Sequence, residues 1–177
     1  MKDKNLKYES KRFNVVKKQG RVKIDYKKMT VGVLPYTIKD GLLDKIGILH
    51  EWNPTRQDDF CHTIITGTVD PEDTDYLFAA KRELLEEGGI KDTNDDNWIF
   101  LGSFYVSKGS NEMCHTFAVD VTDLEIGEAV GDGSDAEEKS EFSLMDSGNA
   151  ITITNESLVL ASFLRLFDFF YQKNNGK

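Results

Sequence analysis

The segment from Gly67 to Ile90 places the tightest constraint on this 177-residue chain, because it sets three carboxylates on one ridge. Glu83, Glu86 and Glu87 stand three and four residues apart, so in a helix their side chains share one face. Leu77, Ala80 and Leu84 recur at helical spacing on an adjoining stripe. Together they predict a helix over about 75–88 that packs on a sheet. Gly88 and Gly89 end it, as a left-handed C-terminal cap requires. Three like charges on one ridge repel each other. Water relieves that repulsion on a plain exposed face. A hard divalent cation such as Mg²⁺ or Mn²⁺, which prefers oxygen ligands, relieves it more fully. Arg82, four residues before Glu86, offers a second means. Gly67 ends a short apolar strand, where the backbone can approach a ligand or ion closely.

The rest of the chain reads mostly as strands. Residues 1–11 are polar and expected to fray. Val22, Ile24 and Tyr26 alternate with Lys23, Asp25 and Lys27, the period of a half-buried strand. Strands are expected at 31–38 and 45–52 around the turn Lys39-Asp40-Gly41, at 60–66, and at 98–106 and 113–121 around Lys108–Asn111. Glu141–Leu144 is a further short strand. A last helix, about 156–172, is expected to be capped by Thr154 or Asn155. Its apolar residues leave little polar surface, so it is either deeply packed or shared with a partner subunit. Strands with one helix inserted and one at the end predict an α/β (α+β) sandwich around a mixed sheet.

The charge is unevenly spread. Residues 1–29 hold eleven Lys+Arg and three Asp+Glu, and the remaining 148 hold eleven and twenty-eight, so a net of −9 divides into +8 and −17. A body that acidic argues against general nucleic-acid binding. The basic end reads as a solvated arm with one strand face (1–29), followed by a single domain over 30–177. Met1–Lys7 has no apolar run after its charges and does not read as a signal peptide. No stretch reaches the ~18 apolar residues of a membrane span. A cytoplasmic location is expected. Cys61-His62 and Cys114-His115 read as strand positions rather than a zinc site, since neighbours on a strand point to opposite faces. Gly127–Gly133 lacks the Gly-Lys-Ser/Thr of a P-loop.

Arg82-Glu83-Leu84-Leu85-Glu86-Glu87-Gly88-Gly89-Ile90 matches the second half of the Nudix box at every specified position, and the chain resembles the Nudix hydrolases. The first half departs: Asp73 stands where that box has Glu, and the junction to Arg82 carries one extra residue. The resemblance implies a Nudix-type α/β/α sandwich and a pyrophosphohydrolase working with Mg²⁺ or Mn²⁺. Carried over, Glu83, Glu86 and Glu87 and the carbonyl of Gly67 would hold the metal, and Arg82 would orient the glutamates.

The strand–turn–strand after the box, Gly102–Tyr105 with Ser107–Phe117, looks like that of the ADP-ribose pyrophosphatases, although Lys108 takes the place of a Pro and Ile64-Ile-Thr66 differs before Gly67. That subfamily implies cleavage of ADP-ribose or a related nucleoside diphosphate derivative. The alternatives are other nucleotides, such as nucleoside triphosphates and dinucleoside polyphosphates, or a domain that binds without turnover. The subfamily also implies a further carboxylate from the acidic loop, with Asp135, Glu137, Glu138 and Glu141 as candidates and Glu138 favoured as base. A homodimer is implied too. Of the aromatics near the expected cleft (Tyr36, Trp52, Phe104 and Tyr105), Trp52 and Tyr105 are the candidates for contacting substrate. Arg56 or Arg12 is the candidate for pairing with its phosphate.

Overall fold

The computed structural model describes residues 6–55, 59–92, 94–131, 140–154 and 156–176. Its centre is β4 (Thr30–Lys39), in which Val31 to Tyr36 are all buried. A run buried on both faces cannot alternate, so this strand reads as continuous apolar sequence. On one side β4 pairs in parallel with β9 (Met113–Asp120), and β8 (Trp98–Tyr105) adds antiparallel beyond it. On the other side β4 pairs first with β7 (Ile65–Thr68) and then with β5 (Leu42–Trp52). Pro35, which has no N–H to donate, stands where the partner changes between these pairings. β5 also carries β6 (Phe60–Thr63) and the edge strand β10 (Glu141–Asp146), completing a mixed seven-stranded sheet. The single strand expected over 60–66 is thus two. Ile64, fully buried, marks the step where the chain leaves β5 for β4.

Both faces of the sheet are covered. Ala79, Ala80 and Leu84 of α1 (Tyr76–Gly88) pack with Val31, Val33 and Ile65 on one face. Ala150 of α2 (Ser147–Ile153) and Val159 and Leu166 of α3 (Ser157–Asn174) pack with Leu34, Ile46 and Ile48 on the other. This is the expected α/β/α layering, with α2 as an element the sequence did not signal. Asp75 caps α1 by accepting from the Phe78 amide at 2.8 Å, and Gly89 closes it at φ 63°. For α3, Glu156 is the N-cap residue, and its side chain does not cap the helix. Thr154 steadies the approach instead, accepting from the Glu156 amide and donating to the His62 carbonyl. Asn155, the other expected cap, lies outside the described residues. The helix buries one face only, and Leu160, Leu164, Phe167 and Tyr171 are exposed.

The basic end is more ordered than expected. In place of an arm with one strand, β1 (Leu6–Glu9), β2 (Phe13–Lys18) and β3 (Arg21–Tyr26) form a three-stranded antiparallel sheet. Tyr8, Phe13 and Tyr26 pack ring against ring across it. Asn111 ties it to the main body by accepting from the Tyr26 amide and donating to the Tyr26 carbonyl, beside Ile24 N–H to Gly109 C=O at 2.8 Å. No helix among the described residues is long and apolar enough to cross a membrane.

Leu84 is fully buried between α1 and the sheet. Leu84→Ala is expected to cost about 2–5 kcal/mol, read as a lowered urea midpoint at unchanged slope.

Candidate active site

Helix α1 runs across the strands rather than along them. Gly67, Val31 and His115 form one register row through β7, β4 and β9. At the β9 end of that row Tyr76, the first residue of α1, stacks on His115 with ring centres 3.8 Å apart. At the β7 end, Glu83 meets Gly67. A Cβ built on Gly67 would lie 1.8 Å from the Glu83 carboxyl carbon, so the absence of a side chain there is what admits the carboxylate. The acidic ridge is thereby delivered to β7, which among the described residues pairs only with β4.

Arg82 organises this ridge. Its Nη1 donates to Glu83 Oε1 at 2.7 Å and to Glu86 Oε2 at 2.8 Å. Its Nε and Nη2 donate to the two oxygens of Asp73 at 3.2 and 3.0 Å, and Nη2 also reaches the Thr68 carbonyl. The altered first half of the motif is explained here. The extra residue is taken up by a tight loop in which Asp73 N–H bonds the Asp70 carbonyl and the Asp70 amide bonds Asp73 Oδ2 at 2.7 Å. Asp73, with a side chain only 2% exposed, is thereby aimed at the guanidinium. That bond, first, holds the Asp73 carboxyl below its usual range, and surrounding carboxylates raise Arg82 still further above its own. The fork-on-carboxylate geometry explains why Arg rather than Lys suits position 82.

Glu83 is buried and Glu86 and Glu87 are half-buried. Glu87 Oε2 accepts from the Thr66 amide at 3.4 Å. The all-oxygen donor set and the side-chain-free Gly67 fit a hard divalent cation. The carboxylates do not converge on one point as they stand. Among the described residues no three His, Cys, Asp or Glu side chains form a ready ion cage, and the Arg82 guanidinium lies between Glu83 and Glu86.

The C-terminal end of α1 anchors the acidic stretch that follows β9. Gly127 N–H bonds the Gly89 carbonyl at 2.9 Å, and Gly131 N–H bonds the Glu86 carbonyl at 3.0 Å. Any Cβ at Gly89 would meet Gly127 O at 2.4 Å, so this second glycine serves packing as well as the cap. Glu138, Asp135 and Glu137 lie outside the described residues, as does Arg56. Glu141 is exposed at the start of β10, opposite His50.

A cavity of about 270 Å³ adjoins Gly67, lined by Thr30, Thr66, Thr68, Cys114 and Glu156 among others. Sequence reasoning did not single out Thr66 and Thr68, although their flanking of Gly67 places both on the face opposite the helix. Trp52 and Tyr105 are elsewhere among the described residues. Trp52 is half-buried opposite Phe60, and Tyr105, 68% exposed, lines a separate recess with Val106 and Lys108. Arg12 is in the bend before β2. The Cys-His pairs occupy plain strand positions, as expected. Cys114 is buried with its thiol pushed up to about 12, and His62 stacks on His50.

The model of the NUDIX domain family matches residues 29–165, and the chain belongs to that family of hydrolases. It is accordingly an enzyme of the pyrophosphohydrolase class, a class that generally uses divalent cations. No curated protein sequence matches it. In fold it is similar to an ADP compounds hydrolase, with a TM-score of 0.64 and 17% identity over 97% of this chain and 92% of that one. It is also similar to the Caenorhabditis elegans Ap4A hydrolase, with a TM-score of 0.55 and 18% identity over 80% and 97% of the two chains.

Two substitutions probe this arrangement. Gly67→Ala is expected to expel the Glu83 carboxylate and abolish turnover while the far-UV spectrum stays native. Asp73→Asn is expected to lower stability by about 2 kcal/mol at neutral pH, through loss of a charge-assisted pair with a partly exposed guanidinium. Because the folded carboxyl titrates below its ordinary value of 3.8, the pair's contribution is complete above that pH and fades below it. The gap between wild type and variant, measured by urea denaturation, should therefore close on acidification below 3.8.

Proposed function

We propose that this chain hydrolyses the pyrophosphate bond of ADP-ribose or a related nucleoside diphosphate derivative, with Mg²⁺ or Mn²⁺ held by Glu83, Glu86, Glu87 and the Gly67 carbonyl. The observation that carries this reading is the seating of Glu83 on Gly67, with Arg82 Nη1 donating to both Glu83 and Glu86. A polyanionic pyrophosphate is repelled by three carboxylates that share a single guanidinium, so substrate binding and cation binding belong together. When bound, the cation would neutralise phosphate oxygens and lower the pKa of the attacking water. The chain's own residues do the positioning. Asp73 and the Thr68 carbonyl anchor Arg82, and Arg82 fixes the carboxylate spacing. Glu138 would accept the proton of the attacking water. Support for that role is the Gly131–Glu86 bond, which holds the start of the acidic loop against α1. Trp52, Arg56 and Tyr105 are the proposed contacts to base and phosphate, Trp52 and Tyr105 from outside the cavity beside Gly67.

A second reading, hydrolysis of dinucleoside polyphosphates, is favoured by the likeness to the Ap4A hydrolase and by Ile64-Ile-Thr66 before Gly67. A cytoplasmic homodimer is part of the proposal, supported by the exposed apolar residues of α3. The test is a panel of ADP-ribose, nucleoside diphosphate sugars, triphosphates and Ap4A with Mg²⁺ or Mn²⁺, read by which bond breaks. Turnover of ADP-ribose is expected, falling at least about 100-fold in a Glu86→Gln, Glu87→Gln variant. Binding without product across the panel would overturn the catalytic reading.

A further inference from the structure

Thr66 and Thr68 meet the acidic ridge and a cavity at the same time. Through the backbone, the Thr66 amide donates to Glu87 and the Thr68 carbonyl accepts from Arg82. Their side chains stand on the face of β7 away from α1 and line the cavity of about 270 Å³ beside Gly67. A group joined to a pyrophosphate on the ridge therefore has this cavity as its neighbour, one strand's thickness away.

The wall has a definite chemistry. Thr63 and Ser157 add hydroxyls to those of Thr66 and Thr68, and Glu112 and Glu156 add carboxylates. Burial pushes the Glu112 carboxyl up, so that group is short of water and gains from hydroxyl donors. No aromatic ring stands among the described lining residues, so a nucleobase finds nothing to stack on. A sugar finds what it needs. Each of its hydroxyls both donates and accepts, threonine and serine hydroxyls do the same, and carboxylates accept. Size points the same way. At about 270 Å³ the cavity is smaller than the roughly 300–1,000 Å³ of clefts that hold whole drug-sized ligands, and suits one sugar ring rather than a nucleoside.

We propose that this cavity seats a sugar that carries no base and is joined directly to the pyrophosphate, which selects nucleoside diphosphate sugars over dinucleoside polyphosphates. The assignment rests on the ridge being the pyrophosphate site. It goes further by naming the residues that choose the second half of the substrate. The hydroxyls of Thr66 and Thr68 and the carboxylates of Glu112 and Glu156 would bond the sugar hydroxyls, and a substrate without those hydroxyls would leave the wall unpaired.

Calorimetric titration of the Mg²⁺-loaded full chain with ribose 5-phosphate, and separately with AMP, tests this without calling on turnover. The first ligand carries a base-free sugar on its phosphate. The second carries a base that the cavity is too small to admit with the sugar. A Thr66→Val, Thr68→Val variant removes two hydroxyls and keeps the backbone bonds to the ridge. Ribose 5-phosphate is expected to bind saturably, and tenfold or more weakly in that variant, with the AMP affinity unchanged and thermal melting as the check on the fold. Glu112→Gln is the second probe and should weaken ribose 5-phosphate severalfold. No saturable binding of ribose 5-phosphate, undiminished binding in both variants, or equal weakening of AMP would overturn the proposal. Hydrolysis of the substrate panel beside any of those results would leave the proposed activity standing. Ribose 5-phosphate bound as expected, with no member of the panel hydrolysed, would support the cavity assignment and count against the activity alone.

Discussion

The Arg82 guanidinium holds the site together, because every carboxylate near it would otherwise repel its neighbours. It faces Asp73, Glu83 and Glu86 at once and rests on the Thr68 carbonyl. A partly buried charge in such company is stable only while all its partners stay in place. The loop before α1, the first two turns of that helix and the end of β7 are therefore locked as one unit. The departure from the family pattern at Asp73 is absorbed by this unit: a shorter acid after a longer loop reaches the same guanidinium.

The sheet decides where that unit points. Because α1 crosses the strands, its N-terminal end rests on β9 through Tyr76 and His115, and its acidic end reaches β7. Burial also holds His115 below its ordinary pKa, so the ring beneath Tyr76 is kept neutral. At the far end of α1, the glycines at 88 and 89 allow the acidic stretch to pack onto the helix terminus, with Gly127 and Gly131 donating to its carbonyls. One helix thus connects a core, a carboxylate ridge and the start of a loop rich in acids.

Local patterns in the chain were legible where local physics settles them. The helix over Tyr76–Gly88, its cap at Gly89, the ridge of Glu83, Glu86 and Glu87 and most central strands follow from periodicity and from glycine's access to positive φ. The strands at Leu6–Glu9 and Phe13–Lys18 were missed because their stability comes from cross-strand rings, Tyr8 with Phe13 and Phe13 with Tyr26, in a stretch whose composition reads as solvated. α2 was missed because Gly148 and the β-branched residues Ile151 to Ile153 are poor helix formers, and packing on β5 overrides them.

By itself the sequence determined the kind of chemistry. Spacing on a helix is a property of neighbours in the chain, so Arg82 and the three glutamates declared their shared face without help. Only the tertiary structure decided what those groups meet. That Gly67 is bare so that Glu83 can occupy its Cβ position, that Asp73 turns to Arg82, and that Thr66 and Thr68 face a cavity shared with Glu156 are contacts between segments far apart or out of pattern. They arise from strand register and from the angle at which α1 crosses the sheet, and neither is written in any local window of residues.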